Sequence, residues 1–528
     1  MLELQRLIFE QKLSRKQLLE YQPTAKKQFK ICVYRNHSFE LVEHTLPLYL
    51  DYAGVGAEFV YSDYDDSLSF FNLPQDTDLM IIWLDISRYT TDNVNDFLKE
   101  RLAFLRSIYT KNILFVPFDW NQKTEIESVV TCDLDNVLAE LGDRKMDLRM
   151  EKFTGTRMSA PAISLASKEL GLKYIPSLLL PSLKAVVVDL DNTLYKGVLG
   201  EDGISGVELT EGHAALQKKL HQLAEKGFFI CVASKNEEQD VVEMFQKRND
   251  FPLRLEDFSK LCVSWNSKAN SIGEIAKFLN IGTDSILFVD DNLGEINSVA
   301  SVHDRVHVLH AYDDAFKTLE VLEFYPRLSR YISQKEDALR RDDVIANEKR
   351  KELQASMSGE DYIKSLEMRL EFNLNNQETI SRVAELANKT NQFIFNYKRY
   401  QQAEVEKLVS SKEGLVITVS LADKLSDSGI IGVCCAVLKE NCVEIEECFV
   451  SCRALGRGID EGIVLGAIEL ACKYFNTRRV RICFQKGERN TPAERFVAEH
   501  FGKAEDVIVE EFAYELPTHL VTINIKEN

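Results

Sequence analysis

The sequence predicts an α/β protein of several domains, in which two parallel sheets precede a smaller α+β domain. With 528 residues, the chain is longer than one hydrophobic core organises. In the first part of the chain, short apolar runs alternate with helical segments, which is typical of parallel sheets covered by helices. In the last part, three apolar runs follow one another across short turns, as antiparallel strands do. The predicted domains are 1–175, 180–325 and 366–528, with a charged, solvated helical linker over 326–365.

The first predicted domain has the β/α alternation of a flavodoxin-like parallel sheet. A polar helical segment over 1–28 opens the chain, and helices are predicted over 39–54 and 93–108. The strands between them are predicted at 28–34, 58–61, 78–83 and 111–116.

The six residues from Asp189 to Leu194, DLDNTL, carry the strongest chemical signal in the chain. They follow the apolar run Ala185–Val188, which predicts a buried parallel strand. Asp189 and Asp191 therefore lie at the carboxyl end of a strand, where open α/β sheets place their ligands. Two carboxylates this close need a cation or a shared proton. The pair indicates a metal site or a nucleophile with its acid, and a helix cap made of solvated aspartates is the alternative.

Three later segments favour the chemical interpretation. A second apolar strand, 228–233, ends at Ser234, and a third, 286–289, ends at Asp290. Lys268 stands between them, just before a helical stretch. Acids that hold Mg²⁺ and attack phosphorus, with a hydroxyl and an ammonium for the phosphoryl oxygens, are what phosphoryl transfer requires. The order of these residues predicts a phosphoryl-transfer site.

These four motifs resemble those of the haloacid dehalogenase (HAD) superfamily of phosphatases and phosphotransferases. The resemblance implies that Asp189 is the nucleophile that becomes an aspartyl phosphate and that Asp191 is the acid/base. It also implies a Mg²⁺ site formed by the Asp189 carboxylate, the Asp191 backbone carbonyl and Asp290.

The same resemblance assigns the remaining residues of the motifs. Ser234 and Lys268 would bind the phosphoryl oxygens, Lys268 would also restrain Asp189, and Thr193 would orient the loop. Asp291 would be either a supporting ligand or the N-cap of the next helix. The expected substrate is a phosphorylated small molecule.

Longer stretches resemble the FkbH-like branch of that superfamily, subfamily IIIC. They are DLDNTLYKGVLGEDG, SKNEEQDV, WNSKANSI, FVDDNLGEI, NQFIFNYKRY and SCRALGRGIDE. The branch handles a phosphoglyceryl unit and an acyl carrier protein, so the resemblance implies transfer of a glyceryl-type acyl group to a phosphopantetheine thiol. The acyl-carrying thiol of the branch directly precedes the Ser234 position, where this chain has Ala233, and Cys231 lies two residues further back. This departure favours the alternative, a simple phosphatase with flanking docking domains.

The first domain resembles the SGNH-hydrolase-like domain that precedes the HAD domain in FkbH-like proteins. Ser38 is a candidate nucleophile after the first strand, but a Gly-Asp-Ser arrangement and a late Asp-x-x-His are missing. We therefore interpret this domain as a docking or scaffold domain.

No segment between Asp191 and Ser234 is long enough for a large cap domain. The glycines at 197–206 predict a short β-hairpin over the site. An open site suits a large substrate or closure by another domain.

The last domain resembles GNAT-type acyltransferases. Its strands are predicted at 414–420, 429–436 and 443–450, and a helix at 459–475. Between them, an Arg-x-x-Gly-x-Gly loop would seat a pyrophosphate on free backbone N–H groups. A later asparagine would lie near the pantetheine arm of CoA or of a carrier protein. The residues implied for this binding are Arg453, Gly456, Gly458 and Asn490.

Composition limits the partners. The net charge of −19, from 64 basic and 83 acidic residues, disfavours nucleic acid and anionic membranes. An acidic carrier protein would need a local basic patch, for which Arg453, Arg457, Arg478, Arg479 and Arg481 are candidates, although a solvated basic face explains them equally well. The cysteines lack disulfide spacing, and neither a signal peptide nor an 18-residue apolar run is present, so we expect a cytoplasmic protein.

Overall fold

The computed structural model divides into two compact units, which are described separately. The first unit comprises Met1–Lys277 and Ile281–Ser333, and the second comprises Phe278–Asn280 and Gln334–Asn528. The described residues form two five-stranded parallel sheets in the first unit and one seven-stranded sheet in the second. This confirms the predicted α/β class. The structure describes residues 1–528 except 12, 27, 66, 72, 75, 92, 110, 121–128, 150, 332–342, 344, 345, 348, 351, 352, 355, 358, 391, 452, 453, 456, 488, 489 and 528.

The first sheet has the flavodoxin-like strand order β2-β1-β3-β4-β5, with neighbouring strands parallel. Its strands are β1 Phe29–Arg35, β2 Ala57–Tyr64, β3 Leu79–Asp85, β4 Asn112–Phe118 and β5 Val130–Thr131. Its helices are α1 Leu2–Phe9, α2 Arg15–Glu20, α3 Glu40–Glu43, α4 Pro47–Ala53, α5 Val94–Ile108, α6 Leu134–Val137, α7 Glu151–Thr154, α8 Ala160–Glu169 and α9 Ile175–Leu179. The single helix predicted over 39–54 is thus two helices. Pro47 begins the second of them, because proline lacks the N–H that a continuing helix needs and fits the first helical turn.

The second sheet has the order β10-β9-β6-β7-β8, again with parallel neighbours. Its central strand β6 consists of four fully buried residues, Ala185–Val188, so the ends of β7 and β9 lie on either side of Asp189. The other strands are β7 Phe229–Ser234, β8 Phe258–Val263, β9 Ile286–Asp290 and β10 His307–His310. The helices are α10 Leu199–Gly206, α11 Glu211–Glu225, α12 Glu238–Lys247, α13 Lys268–Leu279, α14 Leu293–Val302 and α15 Ala315–Glu323.

The N-terminal helical segment packs against the second sheet's domain. Ile8, Phe9 and Leu18 share a hydrophobic core with residues of the second sheet and of α15. Gln5, which is buried, donates a hydrogen bond from Nε2 to the His310 carbonyl at 2.9 Å and accepts one from the His310 N–H at 3.2 Å. The residues that open the chain therefore help to support the strand β10.

The hairpin predicted over 197–206 is wrong in its interior. One antiparallel bridge joins Lys196 to Glu208, but the chain between them forms α10. Gly203 breaks this helix with φ +66, a value that glycine adopts without strain. The Arg248 guanidinium then binds the carbonyls of Ile204 and Val207 at 3.0 and 2.8 Å. A helical segment, and not a hairpin, therefore lies between Asp191 and α11.

The second unit has a mixed sheet of order β16-β15-β14-β13-β12-β11-β17. The three predicted strands are present and antiparallel, and β14 then pairs with β15 in parallel. The strands are β11 Arg369–Leu374, β12 Gly414–Ala422, β13 Asp427–Lys439, β14 Cys442–Val450, β15 Val480–Ile482, β16 Val507–Val509 and β17 Thr522–Glu527. The helices are α16 Gly359–Ser365, α17 Ile380–Lys389, α18 Gln402–Ser410, α19 Asp460–Phe475 and α20 Thr491–Phe501. In the described part of the chain, no helix has both the length and the apolar character needed to cross a bilayer.

The prediction of a solvated linker over 326–365 is wrong for part of that segment. Asp343 and Arg350 are buried, with 0% and 2% of their surface exposed. Arg350 donates from Nε and Nη2 to both carboxylate oxygens of Asp423, at 2.8 and 3.0 Å. Charged residues are rarely buried unless they are paired. The charged composition of this segment therefore indicated a solvated helix, because the sequence did not indicate that Asp423 would pair with Arg350. The rest of the predicted linker lies partly outside the described residues.

Candidate active site

The predicted phosphoryl-transfer residues converge at the carboxyl edge of the second sheet. Asp189 directly follows β6, and Ser234 and Asp290 end the two neighbouring strands. Lys268 begins α13, and its Nζ lies 2.6 Å from Asp290 Oδ2 and 3.0 Å from Asp189 Oδ1. All four residues are buried, with at most 5% of each residue's surface exposed. The strand order therefore brings together residues that are up to about a hundred positions apart in sequence.

Burial dominates the electrostatics of this cluster. It raises the pKa of the Asp189 carboxyl, although the nearby Lys268 ammonium acts in the opposite direction. Burial and then the Asp189 charge raise the pKa of Asp290 to about 7. Burial alone would lower the pKa of Lys268, but the two carboxylates raise it above its usual value. When its carboxyls are ionised together, the site carries more negative charge than one ammonium can neutralise, which is the condition for binding a cation.

Three carboxylates are placed to hold a metal ion. Oxygen atoms of Asp189, Asp290 and Asp291 all lie within 4.8 Å of one another. Asp189 Oδ1 is buried and accepts no hydrogen bond of good geometry from the described residues, although Lys268 Nζ lies nearby. An all-oxygen donor set with an unsatisfied buried carboxylate oxygen fits Mg²⁺. Asp291, whose role the sequence left open, thus has its carboxylate beside the two expected ligands.

Asp191 is held by residues that the sequence analysis did not single out. Its Oδ1 accepts hydrogen bonds from Tyr195 Oη at 2.8 Å and from the Leu199 N–H at 3.0 Å. Its Oδ2 accepts one from Asn236 Nδ2 at 3.0 Å. Asn236 stands two residues after Ser234, in the SKN segment that ends β7. That spacing after a motif strand is the signal that could have identified it.

The turn after Asp191 depends on Asn192. This residue has φ +53, a left-handed conformation that asparagine tolerates better than most residues. Its side-chain oxygen accepts a hydrogen bond from the Gly197 N–H at 3.0 Å. Thr193, expected to orient the loop, is buried, and its N–H donates to the Leu190 carbonyl at 3.1 Å. Thr193 Oγ1 has no hydrogen-bond partner among the described residues, so its role in orienting the loop stays a prediction.

Among the described residues of the first sheet's domain, the contacts of Ser38 and His37 are not those of a hydrolase triad. The Ser38 hydroxyl donates to Glu40 at 2.7 Å, whereas the His37 ring stacks on Trp83 with ring centroids 5.0 Å apart. His37 Nδ1 lies 2.9 Å from Thr156 Oγ1. Burial lowers the pKa of His37 to about 3, which keeps the ring neutral. The interpretation of this domain as a docking or scaffold domain stays a prediction.

In the second unit, part of the predicted pyrophosphate loop turns into the core. Arg457 is 3% exposed, and its Nη2 lies 2.7 Å from Asp343 Oδ1. Gly458 has φ +73 and leads into α19, whose first turn carries Asp460 and Glu461. These acids already complement the positive end of the helix and would repel an anion there. Arg453 and Gly456 lie outside the described residues.

Asn490, predicted to lie near a pantetheine arm, is fully buried and binds backbone. Its Nδ2 donates to the carbonyls of Ile394 and Gln485 at 3.1 and 2.9 Å, and its Oδ1 accepts from the Gly487 N–H at 2.9 Å. Asn490 thus joins the segment around Ile394 to the segment that follows β15. Its part in cofactor binding stays a prediction.

Residues 393–395 occupy the space where β14 and β15 separate. The two strands pair only between 443–445 and 480–482. Further along, the Phe395 N–H donates to the Cys448 carbonyl at 3.0 Å, and the Gln485 N–H donates to the Phe395 carbonyl at 2.8 Å. The backbone of residues 393–395 is therefore hydrogen-bonded between β14 and the segment after β15, beside Asn490.

The candidate basic patch is largely neutralised. Arg457 is buried, so it cannot contribute to a surface. The remaining described arginines each pair with acids: Arg478 with Glu469, Arg479 with Glu510, and Arg481 with Glu444 and Asp506.

Cys231, the thiol nearest the position that carries the acyl group in FkbH-like proteins, is fully buried in β7. Burial raises the pKa of its thiol far above the usual value, which disfavours the nucleophilic thiolate. The cysteines in the described part of the chain are all free thiols.

Comparisons with known proteins give weak likenesses. No family model matches the chain, and no curated protein matches it either. The chain is similar to a solved structure of the N-terminal part of the protein BF1531 from Bacteroides fragilis, which contains a phosphatase domain and is complexed with Mg. The identity is 20%, the match covers 61% of this chain and 100% of that chain, and the TM-score is 0.49.

Two further solved structures match the chain over shorter stretches. An uncharacterized protein from Corynebacterium glutamicum is 12% identical over 27% of this chain and 94% of that chain, with a TM-score of 0.20. A mutant of spermidine N-acetyltransferase SpeG from Vibrio cholerae is 13% identical over 26% of this chain and 90% of that chain, with a TM-score of 0.19. At these identities and TM-scores, the assignment of the site rests on its own geometry.

Proposed function

We propose that the protein is a Mg²⁺-dependent, HAD-type phosphatase that forms an aspartyl phosphate at Asp189. The observation that carries this proposal is the buried cluster of Asp189, Lys268 and Asp290 at the carboxyl edge of a parallel sheet, with the Asp291 carboxylate beside it. A buried ion pair with a surplus of carboxylates costs stability, since each unpaired charge must be desolvated. Such an arrangement is expected where a bound cation offsets the negative charge of the carboxylates while a phosphoryl group is bound.

Each residue has a separate task in this reaction. The Asp189 carboxylate attacks phosphorus, and the bond to the leaving oxygen breaks as Asp191 gives that oxygen a proton. Water then attacks phosphorus, its proton passes to Asp191, and the bond between Asp189 and phosphorus breaks. Lys268 and the Ser234 hydroxyl stabilise the charge on the phosphoryl oxygens.

The metal site would be formed by the carboxylates of Asp189 and Asp290 and the backbone carbonyl of Asp191, with Asp291 as a supporting ligand. A Mg²⁺ ion held there would supply positive charge that neutralises the phosphoryl group. We propose a phosphorylated small molecule as substrate. Between Asp191 and β7 the chain forms α10 and α11 and no larger insertion, which supports access for substrates of different size.

A second candidate function is the FkbH-like transfer of a glyceryl-type acyl group to a phosphopantetheine thiol on CoA or an acyl carrier protein. The GNAT-like strand order of the second unit supports it. The buried Cys231, the buried Arg457 and the engaged Asn490 weigh against it. We therefore place the phosphatase first.

The test is a phosphate-release screen over phosphosugars, phosphoglycerates and acyl phosphates with Mg²⁺, with and without phosphopantetheinylated carrier protein. Rapid acid quenching with a ³²P-labelled substrate should trap label on the protein, and hydroxylamine should remove it, since acyl phosphates react with that nucleophile. The label should be absent from Asp189→Asn. Phosphate release that persists in Asp189→Asn would refute the proposed nucleophile. Release that depends on the carrier protein would move the acyl transfer to first place.

A further inference from the structure

We propose that Asn236 is a positioning residue for Asp191, and that it makes Asp191 Oδ2 the atom that gives and takes the proton. This inference rests on the proposed phosphatase function and assigns a role to a residue outside the four motifs.

The two oxygens of the Asp191 carboxylate have different surroundings. Oδ1 accepts two hydrogen bonds, from the Tyr195 hydroxyl and the Leu199 N–H. Oδ2 accepts one from the described residues, from Asn236. A carboxylate oxygen has two lone pairs, so Oδ1 is saturated and Oδ2 retains a free one. The free lone pair on Oδ2 is where a proton can be carried.

The orientation of the Asn236 amide follows from its partner. The structure has the amide nitrogen toward Asp191 Oδ2, which is the arrangement that the ionised carboxylate requires because it only accepts hydrogen bonds. The same Nδ2 lies 3.2 Å from Ser234 Oγ. Because that hydroxyl accepts from Asn236, its own proton is directed to another acceptor, and the Asp189 carboxylate is one within its reach. Asn236 therefore orients the acid/base and the phosphoryl-binding hydroxyl together.

The local fold fixes the Asn236 side chain. Asn236 lies between the end of β7 and the start of α12, and only 5% of its surface is exposed. It lies in the bend that follows Ser234, and the 3.2 Å between Asn236 Nδ2 and Ser234 Oγ places the two side chains together. Tyr195, with 0% exposure, fixes the opposite end of the carboxylate. The carboxylate is thus held at both oxygens, which limits its rotation about χ2.

In both steps the proton moves between Asp191 Oδ2 and an oxygen of the substrate or of water. In the first step, the proton on Asp191 Oδ2 passes to the leaving oxygen as the bond from that oxygen to phosphorus breaks, and Asp189 gains the phosphoryl group. In the second step, the attacking water gives its proton to Oδ2, and Asp189 is released. Asn236 neither gains nor loses a proton in either step.

The leaving group provides the test. An alkyl phosphate needs a proton on its departing oxygen, whereas p-nitrophenolate leaves readily without one. Loss of a positioned acid should therefore affect alkyl phosphates most. We expect Asn236→Ala with Mg²⁺ to lower kcat/KM for an alkyl phosphate by about tenfold or more, and for p-nitrophenyl phosphate by less than about threefold, because general acid catalysis contributes about a hundredfold or more.

Two further variants test whether the hydrogen-bond donor of Asn236, and not the size of its side chain, is what matters. Asn236→Asp keeps the shape but replaces the donor by an acceptor, so it should lose at least as much alkyl phosphatase activity as Asn236→Ala. Asn249→Ala changes an exposed asparagine after the other end of α12 and should leave both substrates unaffected.

The outcomes are distinct. An equal loss for both substrates in Asn236→Ala would show a purely structural role and overturn this inference, while the phosphatase assignment would stand. No loss for either substrate would also overturn it. A parent protein that releases phosphate from neither substrate with Mg²⁺, nor from any compound of the screen, would overturn the proposed function and this inference together.

Discussion

Two clusters of buried charges in this molecule differ in how their charges balance. At the edge of the second sheet, the carboxylates of Asp189, Asp290 and Asp291 face one ammonium, that of Lys268. In the second unit, two carboxylates, Asp343 and Asp423, meet two guanidinium groups, Arg350 and Arg457. Among the described residues, the first cluster has more carboxylates than cationic groups, whereas the second has equal numbers of both. Charge that the fold leaves unmatched distinguishes a candidate site from a structural network built of the same residue types.

The largest effect should come from removing the attacking carboxylate. Asp189→Asn should lower phosphate release by about a thousandfold or more, since loss of a nucleophile is among the most severe catalytic defects. The fold should persist, because the change removes a buried negative charge and keeps the shape. Stopped-time phosphate assays and circular dichroism of both proteins measure this. Retention of more than a few per cent of the parent's turnover would contradict the interpretation that the cluster with surplus carboxylates is the active site.

Metal removal should have the next largest effect. Chelation with EDTA should silence phosphate release, and Mg²⁺ should restore it, whereas Zn²⁺ should not, because the donor set contains only oxygen atoms. Mg²⁺ should also raise the free energy of unfolding, by about 2.7 kcal/mol at a hundred times its Kd. Thermal unfolding of the parent and of Asp290→Asn, with and without Mg²⁺, checks this. Activity that survives exhaustive chelation would show that the cluster does not need a cation.

A substitution in the second cluster, where two guanidinium groups pair with two carboxylates, should lower stability and leave activity unchanged. Arg350→Met leaves two buried carboxylates with one partner and should cost about 3–5 kcal/mol in the stability of the second unit. Hydrogen exchange of the β13 amides in the full chain measures the effect, and Lys412→Met, which changes an exposed cation in the same unit, is the control. Phosphate release from a small substrate should change less than about twofold, because the catalytic residues proposed here lie in the first unit. A matched loss of activity would show that the two clusters depend on each other.

The sequence predicts the first cluster well and the second poorly, for a physical reason. Asp189, Ser234 and Asp290 each end an apolar run, and parallel strands place their carboxyl ends at one edge, so local pattern and topology suffice. Arg350 and Asp423 meet only through tertiary packing, and neither stands in a pattern that indicates its partner. The segment around Arg350 therefore suggested a solvated linker.

Asn236 illustrates an intermediate case. The end of β7 was predicted, and Asn236 stands just after it in the stretch SKNEEQDV, but its hydrogen bond to Asp191 depends on the exact turn into α12. The same limit applied to Asn490, whose place after β15 fitted the GNAT resemblance while its amide binds backbone. The sequence pattern predicts where a strand or helix lies. The hydrogen-bond partner of a side chain at its end then depends on the conformation of a turn of two or three residues.

The smallest effect should distinguish the two interpretations of Asn490. If Asn490 holds residues 393–395 between β14 and β15, Asn490→Ala leaves the Ile394 and Gln485 carbonyls without their donor and should cost about 1–3 kcal/mol in stability. The affinity for CoA or for holo carrier protein should then not fall, because the amide is engaged with backbone and is not available to a ligand. Calorimetry with both ligands on the parent and on Asn490→Ala measures this, alongside hydrogen exchange at β14. A tenfold weaker affinity with unchanged stability, equivalent to about 1.4 kcal/mol, would instead make Asn490 a ligand of the pantetheine arm. That result would require residues 393–395 to move from between β14 and the segment after β15 when the ligand binds. The second unit would then contain a ligand-binding site of its own.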